Sequence, residues 1–146
     1  MLPLRKGRTV TLDLTLDAPK TDLAQGKPAS ASSESSSDQG AAKAFDGDLS
    51  TRWSAGPDAS SWLQVDLGGT YALSGIDLLW EESYAKCDKL QASTDGSTWR
   101  DLVTQTNSAG GTEKVPVSGS ARYVRMQGTQ KSGQWGYSLY EMEVFG

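Results

Sequence analysis

An all-β antiparallel fold, a sandwich or a barrel, is what this sequence predicts, and three observations carry the prediction. Short runs of strand-forming residues recur at a spacing of about 8–14 residues with Gly, Asp and Ser clusters between them. Sixteen Gly, five Pro and a heavy Ser/Thr load call for many turns. No segment keeps a helical period for more than about two turns, so long helices are not expected. At 146 residues the chain has the length of one domain, or one domain with a tail, and enough surface to bury a core without disulfides.

Along the chain, Arg8 to Asp17 (RTVTLDLTLD) alternates strictly, with Val10, Leu12, Leu14 and Leu16 on one face, and reads as a half-buried strand. Ala18 to Asp22 reads as a linker. Residues 1–22 are therefore an N-terminal strand and linker, either the tail of a preceding module or a strand added to this one, and residues 23–146 form the domain. Leu23 to Pro28 leads into the Ser-rich run Ala29 to Ser37, expected to be ordered. The strand-like runs that follow are Trp62–Leu67, Gly75–Trp80, Lys89–Ser93, Trp99–Thr104, Lys114–Val117, Arg122–Gln127 and Leu139–Phe145. Gly68-Gly69 and Asp95-Gly96 are the sharpest turn signals, since each supplies a residue that tolerates positive φ.

Composition excludes several chemistries. With no His there is no histidine triad, no imidazole acid–base catalysis and no His-ligated zinc. One Cys excludes an internal disulfide and a thiolate cluster, and Cys87 reads as a small, partly buried hydrophobe. A net charge of −4 lacks the basic footprint of a nucleic-acid or anionic-membrane binder and suits a neutral or cationic ligand. No stretch of the chain is apolar enough to span a membrane as a helix, and the first residues lack the apolar middle of a signal peptide.

Three groups of residues carry candidate chemistry. In Lys43 to Trp53, Asp46-Gly47-Asp48 is followed by Ser50 and Thr51, a loop that can turn oxygens inward on a hard cation such as calcium or cap its own turns. Of the five Trp and five Tyr, Trp62 and Trp99 fall inside strand runs and are expected in the core. Trp53, Trp80, Tyr84, Trp135 and Tyr137 sit at strand ends or in loops beside Arg52, Glu81, Glu82 and Gln134. Such aromatics either plug the ends of the fold or stack on the C–H face of a sugar whose hydroxyls meet the neighbouring polar groups. Glu81-Glu82 also admits a glycosidase reading with Glu34 or Asp58 as the second carboxyl, although adjacent strand residues point to opposite faces.

From about Leu23 to Gly146 the chain resembles the discoidin domains, also called coagulation factor V/VIII C-type domains, in their bacterial form as family 32 carbohydrate-binding modules. The resemblance is carried in order by LAQGKPASASS (23–33), AAKAFDGDLSTRW (41–53), WLQVDLG (62–68), LLWEESYA (78–85), LQASTDGSTW (90–99), ARYVRMQGT (121–129) and WGYSLYEMEVFG (135–146). The Cys pair that joins the domain ends in similar vertebrate domains is missing, which points to a bacterial module. The resemblance implies an all-β, eight-stranded antiparallel jelly-roll sandwich with a structural calcium (Ca2+). Its ligands would be main-chain oxygens of Lys43 and Asp48, the Asp46 carboxylate, Thr51, Glu141 and the Tyr140 carbonyl.

The same likeness implies a non-catalytic module in which loops at one end of the sandwich bind carbohydrate. A typical galactose site is not expected, since it uses a His and an Arg–Asn pair while Asn107 is the sole Asn here. The WEESYA and WGYSLYE blocks look like those of modules attached to chitosanases and β-1,3-glucanases. They imply contacts from Glu34, Arg52, Glu81, Tyr84 and Tyr137, with Glu82 and Trp135 next. Chitosan or glucosamine oligomers are the first expected ligand, because an ammonium pairs with carboxylates; a neutral β-1,3-glucan or another gluco-configured polysaccharide is the alternative. A small jelly-roll glycoside hydrolase or lyase is the rival class. The implied setting is a monomeric module of a secreted, extracellular bacterial glycoside hydrolase, its catalytic domain in the same chain, with no nucleic-acid or membrane partner.

Overall fold

A computed structural model describes residues 21–146. The expected strand at Arg8 to Asp17, and with it the question of whether residues 1–22 pack on the domain, lies outside or at the edge of the described residues. Seven strands form: β1 (Ala29–Ala31), β2 (Trp53–Ser54), β3 (Trp62–Trp80), β4 (Ala85–Ser93), β5 (Arg100–Gln105), β6 (Thr112–Lys131) and β7 (Ser138–Phe145). Two short 3₁₀ turns, Ser37–Gln39 and Ala41–Ala44, are the helical pieces among the described residues. The Ser-rich run is ordered, as expected, and contributes β1.

Every pairing is antiparallel, in the order β2-β7-β3-β6-β4-β5 with β1 added to β3. The long strands β3 and β6 run side by side and each serves both layers of the sandwich. The first half of β3 pairs with β1 and the second half of β6, while its second half pairs with β7 and the first half of β6. Register shifts between Asp66 and Tyr71 and between Leu73 and Gly75 bend the pair at the crossing. The Gly68-Gly69 turn is thus a bulge within a continuous strand, with Gly68 at φ 84°. Two pairs of predicted runs merge for this reason, so among the described residues the expected antiparallel sandwich is built from seven continuous strands, with β3 and β6 each serving both layers.

Alternation explains the core. Leu63, Val65 and Leu67 point inward from the first half of β3 and Ile76, Leu78 and Trp80 from the second. Leu90 and Ala92 on β4, Val124 and Met126 on β6, and Leu139, Met142 and Val144 on β7 close the same core. Trp62 has the opposite parity to Leu63 and lies half-buried on the outer face, and Trp99 is also half-buried. The expectation of two core indoles is corrected: they sandwich the Arg125 guanidinium, at 4.4 Å and 4.1 Å from its carbon. Arg125 Nε and Nη2 both donate to Gln64 Oε1, at 3.1 and 2.8 Å.

The turns follow their sequence signals. Asp95 accepts from the main chain of Ser97 and Thr98 at 2.8 Å each, closing the β4–β5 turn. Leu23 N donates to Val144 O at 2.8 Å and Val144 N to Asp22 Oδ1 at 3.0 Å, so the start of the described chain is tied to β7.

Candidate functional site

At one end of the sandwich the short β2–β7 pair brings Ser54 beside Ser138, and their hydroxyls meet at 2.8 Å. Arg52, which precedes β2, donates from Nε to Ser54 Oγ at 3.2 Å. After β3, Glu81 N donates to Ser138 O at 3.0 Å and Ser138 N to Ser83 O at 2.7 Å, so this loop continues beside β7. Glu81 Oε1 accepts from Ser83 N at 2.9 Å, an Asx-like turn that orients the carboxylate. Together these segments and the loop before β7 enclose an open cleft of about 370 Å³, lined among others by Arg52, Ser54, Glu81, Glu82, Gln39 and Trp135.

The chemistry of this cleft is asymmetric. Two carboxylates and one guanidinium supply acceptors and donors at close quarters, and the Trp135 indole, 70% exposed, stands over the rim. An exposed indole at the edge of a polar cleft offers a flat apolar face beside hydrogen-bonding groups. Acceptors for an ammonium or hydroxyl pair, a fork of donors and an apolar plate are what a polar ring with an apolar face requires.

Of the seven residues the resemblance implies, Arg52, Glu81, Glu82 and Trp135 converge here. Tyr137 does not: its side chain is fully buried and its hydroxyl donates to Ala59 O. Burial, with help from the charges of Asp88 and Asp58, pushes its phenol up to about 12. Packed 6.4 Å from the Trp80 ring, Tyr137 lies in the core and offers no face to a ligand, because β7 starts at Ser138 and the segment before it turns inward. Tyr84 is half-buried, its ring lying over Gly110. Glu34 is exposed, and its Oε2 accepts from Ala41 N at 2.8 Å, capping the second 3₁₀ turn. Of the loop aromatics, Trp53 and Trp80 are core, their indole N–H groups donating to Ser33 O at 3.0 Å and Glu113 Oε1 at 2.7 Å.

Asp58, the other candidate partner in a glycosidase reading, is engaged by Ser60. Its carboxylate accepts from Ser60 N and Ser60 Oγ at 2.8 Å each, which holds it below its ordinary value. That shift is opposite to the one a general acid needs. Sequence reasoning did not reach Ser35, Gln39, Ser54, Ser83 or Ser138, which line the cleft. Nothing local marks one Ser of a Ser-rich chain as a lining residue; the β2–β7 pairing selects them.

A second constellation lies where residues 43–51 meet β7. Thr51 Oγ1 is 2.6 Å from Asp46 Oδ2, 3.0 Å from Asp48 O and 3.4 Å from Lys43 O. Gly47 N donates to Glu141 Oε1 at 3.1 Å. Glu141 pairs with Leu79, on the face opposite that of the core residues Leu78 and Met142, and it is 1% exposed with no hydrogen-bond partner for Oε2. Burial first, then the neighbouring Asp46 carboxylate, pushes Glu141 up to about 8. Asp46 moves the other way: burial opposes its charge, but the Thr51 hydroxyl, the Asp48 amide and Glu141 hold it below its ordinary value. A proton on Glu141 lets the two carboxyls share a hydrogen bond; with both ionised, each oxygen is an acceptor and the pair needs a cation.

A buried carboxylate oxygen without a donor, beside a second carboxylate, a hydroxyl and main-chain carbonyls, suits a hard cation. Among the described residues no group of three or more His, Cys, Asp and Glu side chains is placed to hold a metal ion, so a cation here would need main-chain and hydroxyl oxygens beside the two carboxylates. The Asp48 carboxylate accepts from Ser50 N and Ser50 Oγ, so it is the Asp48 main-chain oxygen, an acceptor for Thr51, that faces this loop. Tyr140, half-buried on β7, is brought near by its neighbour Glu141.

A larger cavity of about 510 Å³ lies over β3, β6 and β7 and includes Asp77, Lys114, Pro116 and Phe145. Lys114 Nζ pairs with Asp77 Oδ2 at 3.1 Å, and the aromatic ring that lines this face, Phe145, is half-buried where Trp135 is exposed.

Comparison with known proteins agrees with this architecture. The model of the F5/8 type C domain matches residues 28–142. Chitosan-binding module 1 of a chitosanase/glucanase from Paenibacillus sp. IK-5 superposes with a TM-score of 0.84 at 35% identity, covering 86% of this chain and 99% of that one. Module 2 of the same enzyme, solved in complex with chitotriose, gives a TM-score of 0.81 at 35% identity, covering 85% and 99%. A Clostridium perfringens domain, CpGH89CBM32-5, shares the fold, with a TM-score of 0.77 at 23% identity over 86% of this chain and 100% of that one. Among curated proteins, a polysaccharide lyase 8 family protein, HylA, of Enterococcus faecalis is 34% identical over 89 residues, 58% of this chain. That match covers 6% of the lyase's length.

Proposed function

This chain belongs to the F5/8 type C domain family, and from that premise we propose that it is a non-catalytic carbohydrate-binding module whose ligand is a glucosamine-containing chain such as chitosan. The observation that carries the reading is the cleft in which Glu81 and Glu82 face the same space as Arg52 and the exposed Trp135. A glucosamine unit would place its ammonium against the carboxylates, its hydroxyls against Arg52 and the serine hydroxyls, and its apolar face on the indole. The 35% identity to modules whose names state chitosan binding supports the same ligand class.

In this reading the loop of residues 43–51 and Glu141 hold a calcium ion. Lys43 O, Asp46, Asp48 O, Thr51 and Glu141 supply oxygens, Tyr140 O completes the set, and the ion fixes the loop that leads into Arg52. The module acts as a monomer outside the cell, tethered to a glycoside hydrolase that gains local concentration on its polysaccharide. An open cleft that covers few sugar units binds weakly, and tethering compensates.

Calorimetric titration of the calcium-loaded protein with glucosamine oligomers and, in parallel, laminari-oligosaccharides tests the ligand. Heat from glucosamine oligomers alone, falling as salt rises, is expected. Salt-insensitive heat from laminari-oligosaccharides would replace the amino-sugar reading with a neutral β-glucan one. Release of sugar ends on prolonged incubation, abolished by Glu81→Gln, would replace it with catalysis.

A further inference from the structure

The loop of residues 132–137 joins β6 to β7 and carries Trp135 into solvent. Main-chain bonds secure its two ends: Ser132 N donates to Tyr84 O at 3.2 Å, Ser138 N to Ser83 O at 2.7 Å, and Ala55 N to Tyr137 O at 2.8 Å. Gly136 lies so close to the Gly56 and Ala55 carbonyls that a Cβ there would overlap them. Between these anchors one side chain spans the loop. Lys131, the last residue of β6, donates from Nζ to Gln134 O at 3.2 Å and to Pro57 O at 2.7 Å.

We propose that Lys131 is a positioning residue for Trp135: its ammonium clamps the peptide that precedes the indole onto the Pro57 loop and so presents the ring to the glycan cleft. Gln134 O belongs to the planar peptide unit whose nitrogen is that of Trp135. Holding that plane, with Gly136 seated behind it, fixes the direction of the Trp135 Cα–Cβ bond. Lys131 is not among the residues that line the cleft, and its second acceptor lies on the neighbouring loop, where its charge also helps hold Asp58 low. Its influence on a ligand therefore runs through the ring. A plate oriented before the ligand arrives loses less freedom on binding, which is how a distant clamp raises affinity. The consequence for affinity rests on the cleft being the glycan site; the clamp itself does not.

The clamp and its consequence are read separately. In protein labelled with 5-fluorotryptophan, the ¹⁹F resonance absent from Trp135→Phe belongs to Trp135. Lys131→Met keeps the aliphatic stem and removes the donors, so this resonance is expected to shift and sharpen while those of the other tryptophans stay. Lys131→Arg, which can span both carbonyls, should leave it near its original position. A Trp135 resonance unchanged in Lys131→Met overturns the proposal. Titration with glucosamine trimer should show about a three- to tenfold weaker Kd for Lys131→Met and none of that loss in a Trp135→Ala background. An equal loss in both backgrounds would mean that the charge acts on the ligand directly, and would also overturn it. Should the unmodified protein give no heat with the trimer, the glycan reading of the cleft falls, and the fluorine spectrum still decides whether Lys131 holds Trp135.

Discussion

Asp88 is a carboxyl that the fold holds in its core, and replacing it with Asn should reshape the pH dependence of stability. It points inward from β4 with Leu90 and Ala92, is 0% exposed, and accepts from Gln105 Nε2 at 3.2 Å. Burial, joined by the charge of Glu113 and only partly offset by Gln105, pushes it up to about 7. In the unfolded chain an Asp titrates near 3.8. The folded pKa lies above the unfolded one, so the stabilisation is fully present below about pH 4, declines as the unfolded chain alone releases the proton, and is gone above about pH 7. At about 1.4 kcal/mol per tenfold shift the span is at most about 4 kcal/mol, and about half that once the folded site relaxes around the charge. Asp88→Asn keeps an oxygen for Gln105 and cannot ionise. Relative to the parent it should gain about 2–4 kcal/mol between pH 4 and pH 8, about 10 °C in Tm for a domain of this size. Urea unfolding of both proteins across that range, in excess calcium so that Glu141 contributes equally, reads the difference directly. Parallel stability profiles would show that Asp88 ionises in the folded protein as freely as in water, and the burial argument would fail.

Calcium should stabilise the module: at about a hundredfold excess over Kd the gain is about 2.7 kcal/mol, seen as a Tm that falls on chelation, and Glu141→Gln should remove most of that response. Arg125→Met should cost about 1–3 kcal/mol by emptying the space between Trp62 and Trp99, with Arg125→Lys restoring little because an ammonium cannot lie flat between two rings; urea midpoints measure both. Trp135→Ala should weaken glucosamine-oligomer binding about tenfold while leaving Tm within about 1 °C, since the ring is 70% exposed; titration and thermal melting of one preparation check it.

How far the fold was legible depended on whether local pattern or long-range pairing decided the question. Alternation in Trp62–Leu67 and Gly75–Trp80 placed both strand runs, and it also held the answer to the indole question. Trp62 shares the parity of Gln64 and Asp66, so a half-buried outer position was readable once Leu63 and Val65 claimed the core. Continuity through Gly68 was not readable. A Gly-Gly pair permits a hairpin or a bulge equally, and the choice is made by residues 119–121 of β6, which stay paired with residues 71–73 across the bend. Trp135 and Tyr137 show the opposite limit: two residues apart, they would share a face in a strand, yet one is in solvent and the other in the core because the strand has not begun at either.

The glutamates explain why the candidate site was legible as a set of residues and not as a set of roles. Glu34 spends its carboxylate on Ala41 N, a contact within its own neighbourhood. Glu113 accepts from the Trp80 indole and from Ser108 Oγ beneath a loop. Glu81 is turned by Ser83 N into an open cleft, and Glu141 is buried with one oxygen unpartnered beside Asp46. The same side chain is a cap, a half-buried acceptor, a carboxylate facing a cleft or a buried group with an unpartnered oxygen according to which donors the fold delivers to it, and those donors come from residues up to 94 positions away. Composition could therefore say that carboxylates without His or basic patches favour a cation or an amino sugar. Sheet pairing sets Glu141 opposite Leu79, where Gly47 N reaches it, and the loop after β3 leaves Glu81 and Glu82 beside open space, so the fold assigns which carboxylate meets which group.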